Sequence, residues 1–233
     1  MNVHFQAPPS DAVWPLLILG LTAAAILTFE TFLHASFWRA RGKTELGAVL
    51  AQRLTGAGLL GLLPALLLVA TGRPLVEYGL GWGQWSAAAP LGVVVAIALP
   101  LIFIQSRHPS TWGVYPELRV ALWTPRIRCS NVLSWSAYLV AYELLFRGVL
   151  LFSAAYWLGA WPAVGIMTAM YVLAHLGKPP GEAYGCIPMG LLFGWTALVS
   201  GSIWPGVAAH VVIAVFNDWA VIRHDPARRM GTS

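Results

Sequence analysis

The chain has 233 residues, 58% of them hydrophobic and only 10% charged, with a formal net charge of +5. A soluble domain carries about 45–50% apolar and about 25% charged residues, and a chain of this size cannot hide the excess in one core. Intrinsic disorder, a nucleic-acid module and a disulfide-stapled secreted domain are excluded by the same figures, which leave an all-α polytopic membrane bundle.

Residues 1–11 lack a basic n-region, so no cleavable signal peptide is expected. A helical span needs about 20 mostly apolar residues. The apolar runs predict seven spans, at 13–36, 47–70, 88–105, 130–156, 161–176, 186–200 and 203–222. The last three are short, with brief separators at Leu158-Gly159-Ala160, Gly177–Ala183 and Ser200-Gly201-Ser202, which predicts a compact bundle with tight turns. The segments Arg73–Ala87 and Gln105–Cys129, rich in Trp, Tyr and Gly, are expected at the membrane interfaces. No internal repeat is visible, so 1–233 reads as one membrane domain, and a small transporter built from repeats is disfavoured. Cys129 and Cys186 read as two unpaired thiols.

With seven spans and an outside N-terminus, the inside segments hold Arg39, Arg41, Lys43, Arg107, Arg119, Arg126, Arg128, Lys178, Arg223, Arg228 and Arg229, and the outside segments hold only Arg73. The positive-inside rule then predicts a cytoplasmic C-terminus, and anionic membrane lipid is the expected partner of the basic loops.

Ionisable residues within spans are costly and are candidates for function. Glu143 and Arg147 share a helix face at i and i+4, and read either as a buried ion pair pinning two helices or as part of a site. Gly159 turns the fourth span into the fifth, and Glu143 and His175 each lie about 15–16 residues from it, hence about 23 Å away at one depth. A carboxylate facing an imidazole at equal depth suits activation of water. His210 in the last span has Asn217 and Asp218 roughly on its own face, and Glu182 lies nearby in the sequence. Glu30, His34 and Arg53 are expected to pair with one another or to snorkel, and His4, His108 and His224 to sit at interfaces or in tails.

Tyr142-Glu143-Leu144-Leu145-Phe146-Arg147-Gly148 resembles the EExxxR block of the CPBP family, the CAAX-prenyl-endopeptidase and bacteriocin-processing intramembrane proteases. Tyr171-Val172-Leu173-Ala174-His175 is similar to the family's FxxxH block, and Ser202-Ile203-Trp204-Pro205 followed by His210 to its HxxxN block. The resemblance covers about 130–222. Two positions depart from it: Tyr142 stands for the first Glu, and Ala214 for the Asn. The family subset with a YExxxRG block and a His-x-x-Lys-Pro-x-x-Glu stretch fits better, the latter being His175–Glu182 here.

The resemblance implies a glutamate-dependent peptidase of a bacterial cell membrane, acting on a peptide or protein tail that enters from the bilayer. Glu143 and His175 would hold the water, with Glu182 assisting. His210 would support the oxyanion, an effect worth about 3–4 kcal/mol per well-aimed donor, and Asn217 or Asp218 would replace the missing Asn. Pro179 and Pro180 would stiffen the loop at the cavity rim. No cofactor is expected. The rival in which Glu143, His175 and His210 ligate a divalent metal such as zinc is chemically reasonable but lacks HExxH spacing. The rival of another class is an inactive membrane scaffold or immunity protein, for which Tyr142 and Ala214 speak. The sequence leaves the cleavage site and the oligomeric state open.

Overall fold

The computed structural model describes residues 13–70, 72–177 and 180–231, with side chains from Leu17 onward. Apolar composition leaves each backbone polar group to be satisfied within its own segment, so the spans are helices. Helix α1 (Val13–Phe32) is followed by the short α2 (Ala35–Arg39). Helices α3 (Glu45–Ala57) and α4 (Leu63–Ala70) form one rod through a π-helical turn at Gly58–Leu62. Next come α5 (Ala89–Gln105) and the single turn α6 (Pro109–Trp112). Helix α7 (Pro125–Glu143) runs through π-helical Leu144–Leu150 into α8 (Leu151–Leu158). Helices α9 (Ala160–Leu173), α10 (Pro180–Ser200) and α11 (Trp204–His224) complete the bundle.

Five of these rods are long and apolar enough to cross a membrane: Glu45–Ala70, Trp85–Gln105, Pro125–Leu158, Pro180–Ser200 and Trp204–His224. Leu17–Phe32 and Ala160–Leu173 are shorter apolar helices. The chain is an integral, all-α membrane bundle, as its composition requires.

Several boundaries differ from the sequence expectation: the fourth span begins at Pro125 rather than 130, and the fifth ends at Leu173 rather than 176, which leaves His175 in the turn beyond it. The first span stops at Phe32, where the chain breaks before α2, rather than at 36. The sixth begins at Pro180, not 186: hydropathy falls across Gly181-Glu182-Ala183, but Pro at the first position of a helix costs no hydrogen bond. Pro180 and Glu182 are therefore helical, while Lys178 and Pro179 lie outside the described residues, as does His4.

Rod Pro125–Leu158 is the bundle's axis. Thr124 caps its start by accepting from the Ile127 amide, and Pro125 occupies its first turn. Every residue from Ala141 to Leu151 is buried, and Phe146, Leu150, Leu151 and Ala155 pack against Val164 and Met167 of α9. At the far end Gly159, with φ +81°, reverses the chain in one residue. On the other side of the axis Gly61 lies so close that a β-carbon there would stand 2.5 Å from the Ala141 methyl.

The two ends of the bundle are built differently. At the end holding the Gly159 and Gly201 turns, residues 79–84 are stitched to the start of α11. The Ile203 amide donates to Gly79 O at 2.9 Å, Ser202 Oγ to Gly81 O at 2.7 Å and the Gln84 amide to Ser200 O at 2.8 Å. At the opposite end residues 106–124 form a cap. Arg228 binds Tyr115 O at 2.9 Å, Arg119 binds Trp112 O at 2.8 Å, and β1 (Leu122–Trp123) pairs in parallel with β2 (Arg229–Met230). By chain order, Arg39, Arg41, Lys43, Arg107, Arg119, Arg126, Arg128, Arg223, Arg228 and Arg229 all fall at this capped end.

Candidate active site

Beneath the cap a cavity of about 550 Å³ runs between α1, α3, α7, α9, α10 and α11. Tyr142, His175, Glu182, His210, Asn217 and Asp218 all line it. Six of the eight residues singled out in the sequence thus share one space. Glu143 and Arg147 lie behind its wall, 0% and 1% exposed.

Burying a carboxylate without a partner is prohibitive, and Glu143 has two partners. Its Oε1 accepts from Arg147 Nη1 at 3.2 Å, one helical turn on, and from His210 Nδ1 at 2.7 Å. The guanidinium of Arg147 lies 4.2 Å from the Tyr171 ring centre and 5.2 Å from that of Phe193, a cation held between aromatic faces. Gly206 of α11 leaves room for the acid, since a β-carbon there would stand 3.3 Å from Glu143 Oε2. That Oε2 has no hydrogen-bond partner among the described residues. His210 is 20% exposed, so it spans the wall: Nδ1 meets the buried acid and the ring lines the cavity.

Equal depth across the Gly159 turn is realised one residue earlier than the sequence suggests. Tyr142, not Glu143, faces the fifth span, with its hydroxyl 3.4 Å from His175 Nδ1. That nitrogen is also 2.9 Å from Tyr171 O. The physical reason is helical phase: adjacent residues point about 100° apart, and Glu143 is turned toward α11 while Tyr142 is turned toward α9. The Tyr142 ring stands between the two imidazoles, its centre 6.0 Å from that of His175 and 6.2 Å from that of His210.

The remaining expected residues find other partners. Glu182 is hydrogen-bonded by the Tyr115 hydroxyl of the cap rather than joined to Glu143. Asp218 is 2% exposed, and its Oδ2 accepts from Asn131 Nδ2 at 2.9 Å and Trp135 Nε1 at 3.2 Å. Glu30 and His34 do pair, at 2.8 Å, but Arg53 does not join them. It is buried and binds Asn131 Oδ1 at 2.8 Å, Ser134 Oγ at 3.2 Å and Glu117 at 3.3 Å. Snorkelling was the wrong expectation because the acid that compensates Arg53 comes from the cap, 64 residues away in the chain. Outside the site, His224 Nδ1 stands 2.8 Å from Ser106 Oγ; both cysteines are free thiols, and Cys186 lines the cavity. Among the described residues no group of three His, Cys, Asp or Glu side chains is arranged to hold a metal ion.

What this arrangement offers chemically is an imidazole that lines the cavity with one nitrogen anchored on a buried carboxylate. Beside it stand a phenol and a second imidazole. Such a set can move a proton and donate hydrogen bonds to a developing charge.

Residues 131–216 match the family model described as Rce1-like, type II CAAX prenyl endopeptidase. No curated protein and no solved structure matches the chain. The matched stretch runs from Asn131 in α7 to Phe216 in α11 and contains Glu143, His175 and His210. Over that stretch, the helices that carry the site are similar to those of this endopeptidase family.

Proposed function

We propose that the chain is an intramembrane endopeptidase in which Glu143 orients His210 and His210 activates water against a peptide carbonyl. One observation carries this reading: Glu143 is wholly buried and 2.7 Å from His210 Nδ1, while His210 itself lines the cavity. With Nδ1–H donated to the carboxylate, Nε2 is the basic nitrogen. It takes the proton of a water that attacks the scissile carbonyl, Glu143 stabilises the imidazolium, and the same proton passes to the leaving amine. The Tyr142 hydroxyl supplies a hydrogen bond to the oxyanion from the other side of the cavity, and His175 Nδ1, beside it, positions that hydroxyl. His210 thereby takes the role that the sequence reading gave to His175, because the buried acid is bonded to His210. Glu182 is a half-buried carboxylate of the cavity lining, held by Tyr115.

The basic residues at the capped end support a cytoplasmic mouth and C-terminus by the positive-inside rule. The substrate is a peptide or protein tail held at the membrane, which reaches the cavity on that side.

The space-filling Tyr142 ring between the imidazoles favours a second reading, an inactive scaffold that keeps the fold. One experiment separates the two. The termini of membrane-anchored proteins are compared by proteomics in wild-type, deletion and Glu143→Gln strains. A peptidase predicts the same uncleaved termini in deletion and Glu143→Gln cells; a scaffold predicts that Glu143→Gln cells match the wild type.

A further inference from the structure

Helices α7 and α11 run antiparallel and are bridged by polar side chains at two levels. The first is the Glu143–His210 hydrogen bond. The second is Asp218 Oδ2, which accepts from Trp135 Nε1 at 3.2 Å and Asn131 Nδ2 at 2.9 Å. Trp135 precedes Glu143 by eight residues, and Asp218 follows His210 by eight. The levels are therefore matched, about 12 Å apart on each helix. The cavity opens between them at Ala214, four residues from both His210 and Asp218, where the side chain is only a methyl group.

A second contact at this spacing controls an angle that the first cannot. Eight residues turn through about 800°, which leaves Asp218 about 80° from His210 around the axis of α11. Holding both side chains fixes the roll of α11 and hence the direction in which the imidazole points. Holding His210 alone leaves the roll of the middle of the helix to packing and to the bonds at its two ends. An error of about 1 Å at a reacting group costs about 10²-fold in rate.

Arg53 of α3 braces this second level from behind. Its Nη1 donates to Asn131 Oδ1 at 2.8 Å and Ser134 Oγ at 3.2 Å, and its guanidinium lies 4.2 Å from the Trp135 ring centre. Both donors to Asp218 are thus held by one buried cation, which Glu117 of the cap compensates at 3.3 Å. We infer that Arg53, Asn131, Trp135 and Asp218 are positioning residues that aim His210 into the cavity. This rests on the reading of His210 as the group that meets water.

The test uses the full chain, labelled with 15N-histidine and reconstituted in lipid nanodiscs, with His210 assigned by its loss in His210→Gln. In the wild type His210 gives the signature of one tautomer, protonated at Nδ1. Asp218→Ala and Trp135→Phe are expected to spread that signal over both tautomers. Asp218→Asn keeps it, because its amide oxygen still accepts from Asn131 and Trp135. Peptidase kcat falls about 10²-fold in the first two variants at unchanged KM. An unchanged His210 signal in both Asp218→Ala and Trp135→Phe overturns the inference. If only one of them folds, that one decides. If neither folds, the level is a stability element alone and the inference fails as well. The spectrum needs no substrate, so a wild type that holds His210 as described yet cleaves nothing defeats the peptidase reading and not this one.

Discussion

Glu143 and His210 stand 67 residues apart in the chain and share a 2.7 Å hydrogen bond between Oε1 and Nδ1. Because the carboxylate is fully buried and the imidazole is not, the pair has an inner and an outer member. Its chemistry follows from that asymmetry.

Replacing Glu143 by Gln keeps the shape of the inner member but removes its charge and its preference for one imidazole tautomer. A loss of about 10³–10⁴-fold in cleavage rate is expected, the scale seen when an orienting carboxylate becomes an amide. His175→Ala, which removes a group on the far side of the cavity, is expected to cost about 10²–10³-fold. Rates of the two purified variants in proteoliposomes, at wild-type helical content, check both figures.

Arg147 and Glu143 are each other's compensation within the hydrophobic core. Removing one member of such a pair costs about 3–5 kcal/mol, whereas replacing both by apolar groups is nearly neutral. Arg147→Met is therefore expected to lower the unfolding temperature sharply, and Arg147→Met with Glu143→Leu to recover most of the loss. Thermal unfolding of the single and double variants in detergent measures the coupling.

Gly61 is a point of close approach between the Glu45–Ala70 rod and α7, with the Ala141 Cα only 2.8 Å from where its β-carbon would be. The obstacle is backbone, which cannot step aside as a flexible side chain does. Gly61→Ala is expected to destabilise the bundle by about 1–3 kcal/mol through overpacking. An unfolding midpoint equal to that of wild type would contradict this.

Tyr115 ties the cap to Glu182. Burial, and then the adjacent carboxylate, push its phenol above the ordinary tyrosine range. A raised value favours the protonated donor, so the tie is present below the unfolded value and is lost as pH rises through the folded one. A spin label at exposed Ser110 is expected to show constant mobility between about pH 6 and 9 in the wild type, and higher mobility throughout in Tyr115→Phe.

The bundle itself was legible from apolar run length, because a membrane span has to be one continuous apolar helix. So were Glu143, His175 and His210, whose rarity within such runs marks them. The pairing among them was not. Which of Tyr142 and Glu143 faces α9 depends on the roll of α7, and hydropathy says nothing of roll when both neighbours are buried. Arg53 was misread for a related reason: its partners Glu117 and Asn131 are 64 and 78 residues away, beyond the reach of any local pattern. The start of α10 was misplaced because Glu182 interrupts the apolar signal exactly where the helix meets the cavity rather than lipid.

The π-helical stretch Leu144–Leu150 carries more backbone per turn than the α-helical segments on either side. It acts as a phase gear in the central rod. The half before it carries Tyr142 and Glu143, and the half after it leads to the Gly159 turn and its packing partners. Because the wider turn takes up an extra residue, excising one there would leave the two halves nearly in their present phase, whereas excising one from the α-helical segment on either side would turn them about 100° out of step.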